Sequence, residues 1–540
     1  MNFKNKSVDV HSFAMVPRAD VPRSAFKAQK TYKTTFDSGF LIPVYVDEVL
    51  PGDTFNLRMT AFTRLTTPLY PIMDNLHLES FFFFVPNRLV WDNWQKFMGE
   101  RWPDPDSSID YLIPQQSSPA GGYAVNTLQD YMGLPTVGQV ASGKSVSHSA
   151  LFTRAYNLIW NEWFRDENLQ DSAVVDRGDG PDNVSDYVLR RRGKRHDYFT
   201  SALPWPQKGA SVPLPMAGNA PVSGTLSGSG SPTFTVGGRV GSLSREANDN
   251  HVYLANLAGS AGSLSWSNPA LSFSGSADLS EVTAATINQL RQSFQIQRLL
   301  ERDARGGTRY TEILRSHFGV VSPDARLQRP EYLGGGHSPV NINPIAQTSG
   351  SGASGTTAPL GTLGAMATSV MSGHGFSQSF VEHGMIIGLV NVRADLTYQQ
   401  GLQKLWSRKT RYDYYFPVFA HLGEQAVLNK EIYVTGDTAQ DDAVFGYQER
   451  WAEYRYKPSQ ITGQFRSNYS NTLDAWHLSQ YFGSLPALNA EFIEDRPPMA
   501  RVLAVGNAAL GSQFYFDAFF DIKMVRALPM YSVPGLIDHF

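Results

Sequence analysis

The run Phe380 to Leu396, FVEHGMIIGLVNVRADL, constrains the fold more tightly than any other stretch of the chain. Met385, Ile386, Ile387, Leu389, Val390 and Val392 form a near-continuous apolar segment rich in β-branched residues, and Gly384 and Gly388 are poor residues for a helix interior. A strand buried on both faces is therefore predicted. Gly/Ser-rich chain precedes it and Tyr/Trp-rich, Pro-punctuated chain follows, which fits an all-β body with much of its mass in loops.

Other segments agree with that class. Phe55, Leu57, Met59, Ala61 and Thr63 alternate with polar residues after the turn Pro51-Gly52-Asp53, as a half-buried strand does. Leu76 to Val85, LHLESFFFFV, carries four consecutive phenylalanines, so both faces of that strand need a protein cover until Pro86-Asn87 ends it. Helices are predicted over 91–98, over 149–170, where Leu151, Ala155, Ile159 and Trp163 make a core-packing stripe, and over about 284–302, where Ile287, Leu290, Phe294 and Leu299 recur. Residues 101–147, with five prolines, read as a long ordered loop, and 347–375 as a second, Gly/Ser/Thr-rich loop.

Charged residues are only 18% of the 540 while aromatics reach 12%, a balance that favours strands, turns and surfaces covered by partners. The absence of cysteine excludes disulfides and thiolate metal sites. Apolar runs such as Phe81 to Val85 fall far short of the roughly 18 residues that span a bilayer, so a soluble protein without membrane insertion or export signal is expected. A net charge of −3 argues against a surface that binds nucleic acid everywhere. Locally the picture differs. Residues 1–35 form an extended basic arm in this reading, with Lys4, Lys6, Arg18, Arg23, Lys27, Lys30 and Lys33 as candidate phosphate contacts, although spaced cations suit water as well.

Between 209 and 280, Gly and Ser supply 26 of 72 positions. A tether has that composition too, but Thr233 to Val236, Gly237-Gly238 and Arg239-Val240 spell a hairpin. Leu264, Trp266, Leu271 and Phe273 alternate with serines around Asn268-Pro269, so a folded β-rich insertion is expected, between body segments 36–208 and 281–540.

Motifs for chemistry fail in context. Gly138 to Ser145, GQVASGKS, satisfies the P-loop pattern with Lys144, yet Gly133 and Pro135 interrupt the strand that must precede it, and no βαβ alternation surrounds it. Gly350 to Gly355 matches a dinucleotide pattern inside low-complexity chain. Asp176, Asp179, Asp182 and Asp186 crowd one loop without EF-hand spacing, Arg177-Gly178-Asp179 is a coincidental tripeptide, and Glu382-His383 lacks a second carboxylate. No catalytic residue, metal ligand or cofactor is assigned.

Phe445 to Ser459, FGYQERWAEYRYKPS, resembles a characteristic segment of the major capsid protein of microviruses, small icosahedral single-stranded DNA phages. Leu76 to Leu89, the turn Pro51 to Leu57, and Trp406-Ser407-Arg408 with Tyr412 to Phe416 resemble the gokushovirus branch. The resemblance implies an eight-stranded antiparallel jelly roll, a T=1 shell around circular single-stranded DNA, and an insertion protruding at the three-fold axes, where 209–280 would stand. It also implies an inward-facing arm, a separate small basic DNA-binding protein, a minor capsid or pilot protein, a bacterial surface receptor, and assembly in the host cytoplasm. A thinly cored protrusion would bury Phe234, Trp266 and Phe273 between copies around the axis. The competing expectation is a β-rich carbohydrate- or nucleotide-binding protein, which would form a small closed oligomer.

Overall fold

The structure, a computed structural model, describes residues 22–209, 219–227, 233–236, 239–245, 252–254, 270–278, 287–348, 361–504 and 511–531. It comprises two compact units, Met1–Pro206 with Asp303–Phe540, and Gln207–Arg302, so the sequence boundary at 280 falls inside the second.

In the first unit, early strands are β1 (Ser24–Phe36), β2 (Ile42–Val49), β3 (Thr54–Leu65) and β4 (Leu76–Pro86), and a short pair follows, β5 (Gln115–Ser117) with β6 (Ser147–Ser149). The second unit contains β7 (Asn219–Ser227), β8 (Thr233–Val236), β9 (Arg239–Arg245), β10 (Val252–Leu254) and β11 (Ala270–Asp278). There β8, β9 and β10 form one antiparallel sheet and β7 pairs with β11. The predicted hairpin at 233–240 is the β8–β9 pair. Back in the first unit come β12 (Glu331–Pro339), β13 (Asn341–Ala346), β14 (Leu363–Ser379), β15 (Gly384–Ala394), β16 (Glu424–Leu428), β17 (Val444–Glu449) and β18 (Phe514–Arg526).

Two antiparallel sheets make the barrel, in the orders β1-β18-β3-β14-β13 and β12-β4-β15-β2. The jelly-roll class holds, with five and four strands where eight were expected. Their inner faces share one core: Tyr45 of β2 meets Phe520 of β18 at 5.1 Å, and Phe82 of β4 meets Phe376 of β14 at 5.6 Å. β15 is buried at nearly every position because it is covered twice. Ile386, Val390 and Val392 face this core, while Met385, Ile387 and Leu389 face a second one. That second core is roofed by the helix Leu151–Ile159, through Leu151, Ala155, Tyr156 and Ile159, and its cover explains the four phenylalanines. Phe82 and Phe84 point into the barrel; Phe81 and Phe83 point toward Trp163 and Phe164.

Two expectations are corrected. Residues 24–35, expected in the arm, form with Phe36 the sheet-edge strand β1, paired along its whole length with β18, because Phe36, Tyr32 and Ala28 turn toward the core. Residues 363–375, expected in a loop, belong to the 17-residue strand β14, whose inward positions are the small Ala365, Ala367 and Ser369 followed by Met371. The helix predicted over 149–170 is shorter and ends in a wider turn at Trp160–Phe164.

Candidate nucleic-acid and assembly surfaces

Lys4, Lys6 and Arg18 lie outside the described residues. The other four cations of the expected arm are built into the barrel edge. Arg23 donates to the Gly52 carbonyl at 2.6 Å and to Thr54 Oγ1 at 3.0 Å. Lys30 sits 5.3 Å from the Tyr45 ring, while Lys27 and Lys33 stand on the opposite, outward face beside Asp521 (3.8 Å) and Asp517 (2.7 Å). These outward pairs are more than half exposed on the lysine side, so each contributes at most about 1 kcal/mol and leaves the cation available.

The sequence reading missed a denser basic run, Arg190-Arg191-Arg192-Gly193-Lys194-Arg195-His196. A cluster of this kind is itself a recognisable signal, but much of its charge turns inward. Arg190 stacks on Trp160 (5.2 Å), Arg191 on Phe40 (3.8 Å), and Arg192 lies over Phe81 while sharing Glu79 with Arg393. Lys194 is 8% exposed, its ammonium 4.4 Å from the Phe492 ring. Burial pushes Lys194 down to about 8, against the pull of Asp495 and Asp197. Burial likewise pushes Asp495 up to about 7, despite Arg393, Lys194, Arg191 and Arg192 nearby. The run staples the loop after the roofing helix to both cores.

Asp495 makes stability depend on pH. Its folded form favours the neutral acid, so its contribution is fullest below the unfolded carboxylate pKa of about 4 and is lost as pH rises through about 7. Asp495→Asn is expected to remove that decline. Melting temperatures of both proteins at several pH values from about 4 to about 8 check this; parallel curves would contradict it.

The segment Phe445 to Ser459 organises a third cluster, with Tyr198, Phe199, Tyr398, Val427, Ile432 and Phe492. Trp451 adopts φ +68°, which costs a non-glycine residue roughly 1–2 kcal/mol. Its backbone N–H donates to Gln425 Oε1 (3.1 Å) and its indole N–H to the Phe419 carbonyl (3.0 Å), which offsets the cost. The same segment walls a cavity of about 210 Å³, where Glu453 faces Arg408 (3.4 Å) and Glu431 faces Lys404 (3.4 Å).

Among the described residues, none of the enzyme-like motifs finds its context. Residues 138–145 form exposed turns, with Gly138 at φ +95° and Gly143 at φ +72°, and lead into β6 rather than a helix. Gly350 to Gly355 lie outside the described residues. Asp182 pairs with Arg154, Asp179 accepts from the Trp91 indole N–H (2.7 Å), and Asp176 accepts from the Gly178 N–H (2.7 Å), so these carboxylates are already committed. Glu382 pairs with Arg88, and His383 packs on Trp94. Among the described residues no His/Cys/Asp/Glu group has metal-site geometry, and no helix is long and apolar enough to cross a membrane.

Phe234 lies on β8 opposite Gly241, and Phe273 on β11 opposite Gly224. Trp266 lies outside the described residues.

Comparison with known proteins covers the whole length. A model of the family described as "Capsid protein (F protein)" matches residues 14–536. The chain is 47% identical to the capsid protein VP1 of Bdellovibrio phage phiMH2K over 98% of both chains. It is 45% identical to capsid protein VP1 of Chlamydia phage 1 over 99% of both, and 35% identical to that of Spiroplasma virus 4 over 98% of both.

Proposed function

Because the chain belongs to the capsid protein (F protein) family of gokushovirus-type microviruses, we propose that copies of it close a T=1 icosahedral shell around a circular single-stranded DNA genome. The match to capsid proteins over 98–99% of the chain carries this reading. The role is structural rather than enzymatic. The two-sheet barrel supplies the shell. The insertion 209–280 protrudes near the three-fold axes, brings Phe234, Trp266 and Phe273 of neighbouring copies together, and contacts a bacterial surface receptor. Lys4, Lys6 and Arg18, with Lys27 and Lys33 on the outward face of β1, contact the genome beside a small basic DNA-binding phage protein and a minor capsid or pilot protein. Assembly takes place in the host bacterial cytoplasm.

Replacing 209–280 by a short Gly/Ser turn separates the two tasks. Particles of normal diameter are expected to form and to lose adsorption to the host. Normal adsorption would overturn the recognition role, and failure to assemble would make the insertion a structural tie between subunits.

A further inference from the structure

The outward face of the five-stranded sheet carries side chains that the barrel does not use. Along β18, Phe514, Phe516, Ala518, Phe520 and Ile522 enter the core, so Tyr515, Asp517, Phe519, Asp521 and Lys523 point the other way. β3 alternates likewise, turning Arg58, Thr60, Phe62 and Arg64 outward. In register, Arg64 stands opposite Tyr515, Phe62 opposite Asp517, Thr60 opposite Phe519 and Arg58 opposite Asp521. β1 adds Lys33 opposite Asp517 and Lys27 opposite Lys523.

Two features of this face are unlike a solvated sheet surface, whose outward positions are ordinarily polar. First, it holds rings: Phe62 is 43% exposed, Tyr515 48% and Phe519 39%. Phe62 lies diagonal to both others, about 7–8 Å away between backbones, which leaves room for a flat ring on either side. Second, it is cationic in a chain of net charge −3. Lys27, Lys33, Arg58, Arg64 and Lys523 oppose only Asp517 and Asp521, and both aspartates already face Lys33 and Lys27. Arg58, Arg64 and Lys523 have no ion-pair partner among the described residues; Arg64 lies 6.0 Å from the Phe62 ring. Lys33, Phe62, Arg64, Tyr515 and Asp517 together line a shallow basin of about 450 Å³.

The geometry points to a platform for single-stranded nucleic acid, with bases stacking on Phe62, Tyr515 and Phe519 and phosphates running past Arg58, Arg64 and Lys523. Stacking on exposed rings beside arginines needs no particular base, which suits a surface that must accept any stretch of a strand. A second copy of the same face is a poor occupant, because an isologous contact would set the unpaired cations against each other. This inference rests on the genome-enclosing role proposed above and deepens it by naming the residues that grip the strand.

The test uses the full-length chain and a fluorescein-labelled oligothymidine, titrated at several salt concentrations. The double variant Phe62→Ser/Phe519→Ser is expected to bind at least about thirtyfold more weakly, at about 1 kcal/mol or more per stacked base, with an unchanged salt slope. Arg58→Gln/Arg64→Gln is expected to flatten the slope of log affinity against log salt by about 1.4, at roughly 0.7 per phosphate contact on a single strand. All four sites are exposed, so unchanged melting temperatures are expected alongside. No binding by the unmodified chain, or affinities within twofold and slopes unchanged in both variants, would overturn the platform. Variants that bind the oligonucleotide normally but fail to form particles would overturn it in favour of a subunit interface. Absence of nuclease-protected single-stranded DNA from unmodified particles is a separate failure, that of the enclosure reading.

Discussion

Asp182→Ala will destabilise the barrel unit by about 3–5 kcal/mol, the usual cost of removing one partner of a buried ion pair. Arg154 and Asp182 are 0% and 1% exposed in their side chains, and the contact is bidentate, with Arg154 Nε donating to Oδ2 at 2.8 Å. Arg154 also donates to the carbonyls of Val90 (3.0 Å) and Gly178 (2.9 Å), and Tyr187 donates to the same carboxylate. One guanidinium thus ties the roofing helix to the turn after β4 and to the loop beneath it. With Asp182 gone, that charge stays buried against carbonyls alone. The double replacement Arg154→Met/Asp182→Leu leaves no orphaned charge and is expected to cost less than Asp182→Ala by itself. Denaturant midpoints of the three proteins check the order; a loss under about 1 kcal/mol for Asp182→Ala would show that the pair does not hold the roof.

A second large effect sits on the inner face of the four-stranded sheet, where β15 lies between β2 and β4. A Cβ on Gly388 would stand 2.7 Å from the Phe82 ring and 3.0 Å from Tyr45 Cβ, and both side chains are fully buried. Gly388→Ala is therefore expected to cost about 1–3 kcal/mol through overpacking. Phe82→Ala, which empties a site packed on Phe376, is expected to cost about 3–5 kcal/mol. The two changes share one space, so the double variant will lose less than the sum. Strict additivity in thermal unfolding would mean that Gly388 and Phe82 do not compete for the same space.

The strands that were legible in the sequence are those whose burial pattern is a property of the strand alone. β15 is apolar at both parities and β3 alternates cleanly, so each declares its burial without a partner. β1 and β14 were missed for opposite reasons. In β1 the inward set of Phe26, Ala28, Tyr32 and Phe36 is interrupted by Lys30 and outnumbered by polar neighbours, as suits an edge strand only half covered. In β14 the inward residues Ala365, Ala367 and Ser369 are small, and Ser369 Oγ donates to the Pro339 carbonyl of β12 at 2.9 Å. A register shift between Met371 and His374 then breaks the period. Composition alone made that segment look like loop.

The candidate surfaces were less legible than the fold. Cations counted along residues 1–35 suggested a free arm, yet all four of those described lie beside a carbonyl, a ring or a carboxylate at the sheet edge. The run Arg190 to His196, in which Lys194 is buried while Arg195 and His196 are exposed, shows the same limit: a string of basic residues does not say which of them meet aromatic rings. Phe62, Tyr515 and Phe519 become one feature only when the pairing of β3 with β18 is known, since Phe62 lies more than 450 residues from the other two along the chain. The segment Phe445 to Ser459 contributes Phe445 and Ala452 to the third core and walls the cavity beside it.

The central claim, that this chain builds a closed viral shell, is tested most directly by cryo-electron microscopy of the purified full-length protein. The account predicts closed icosahedral particles of T=1 symmetry whose shell density is filled by the two-sheet barrel. A small closed oligomer as the only species, under conditions where the chain is folded, would contradict it.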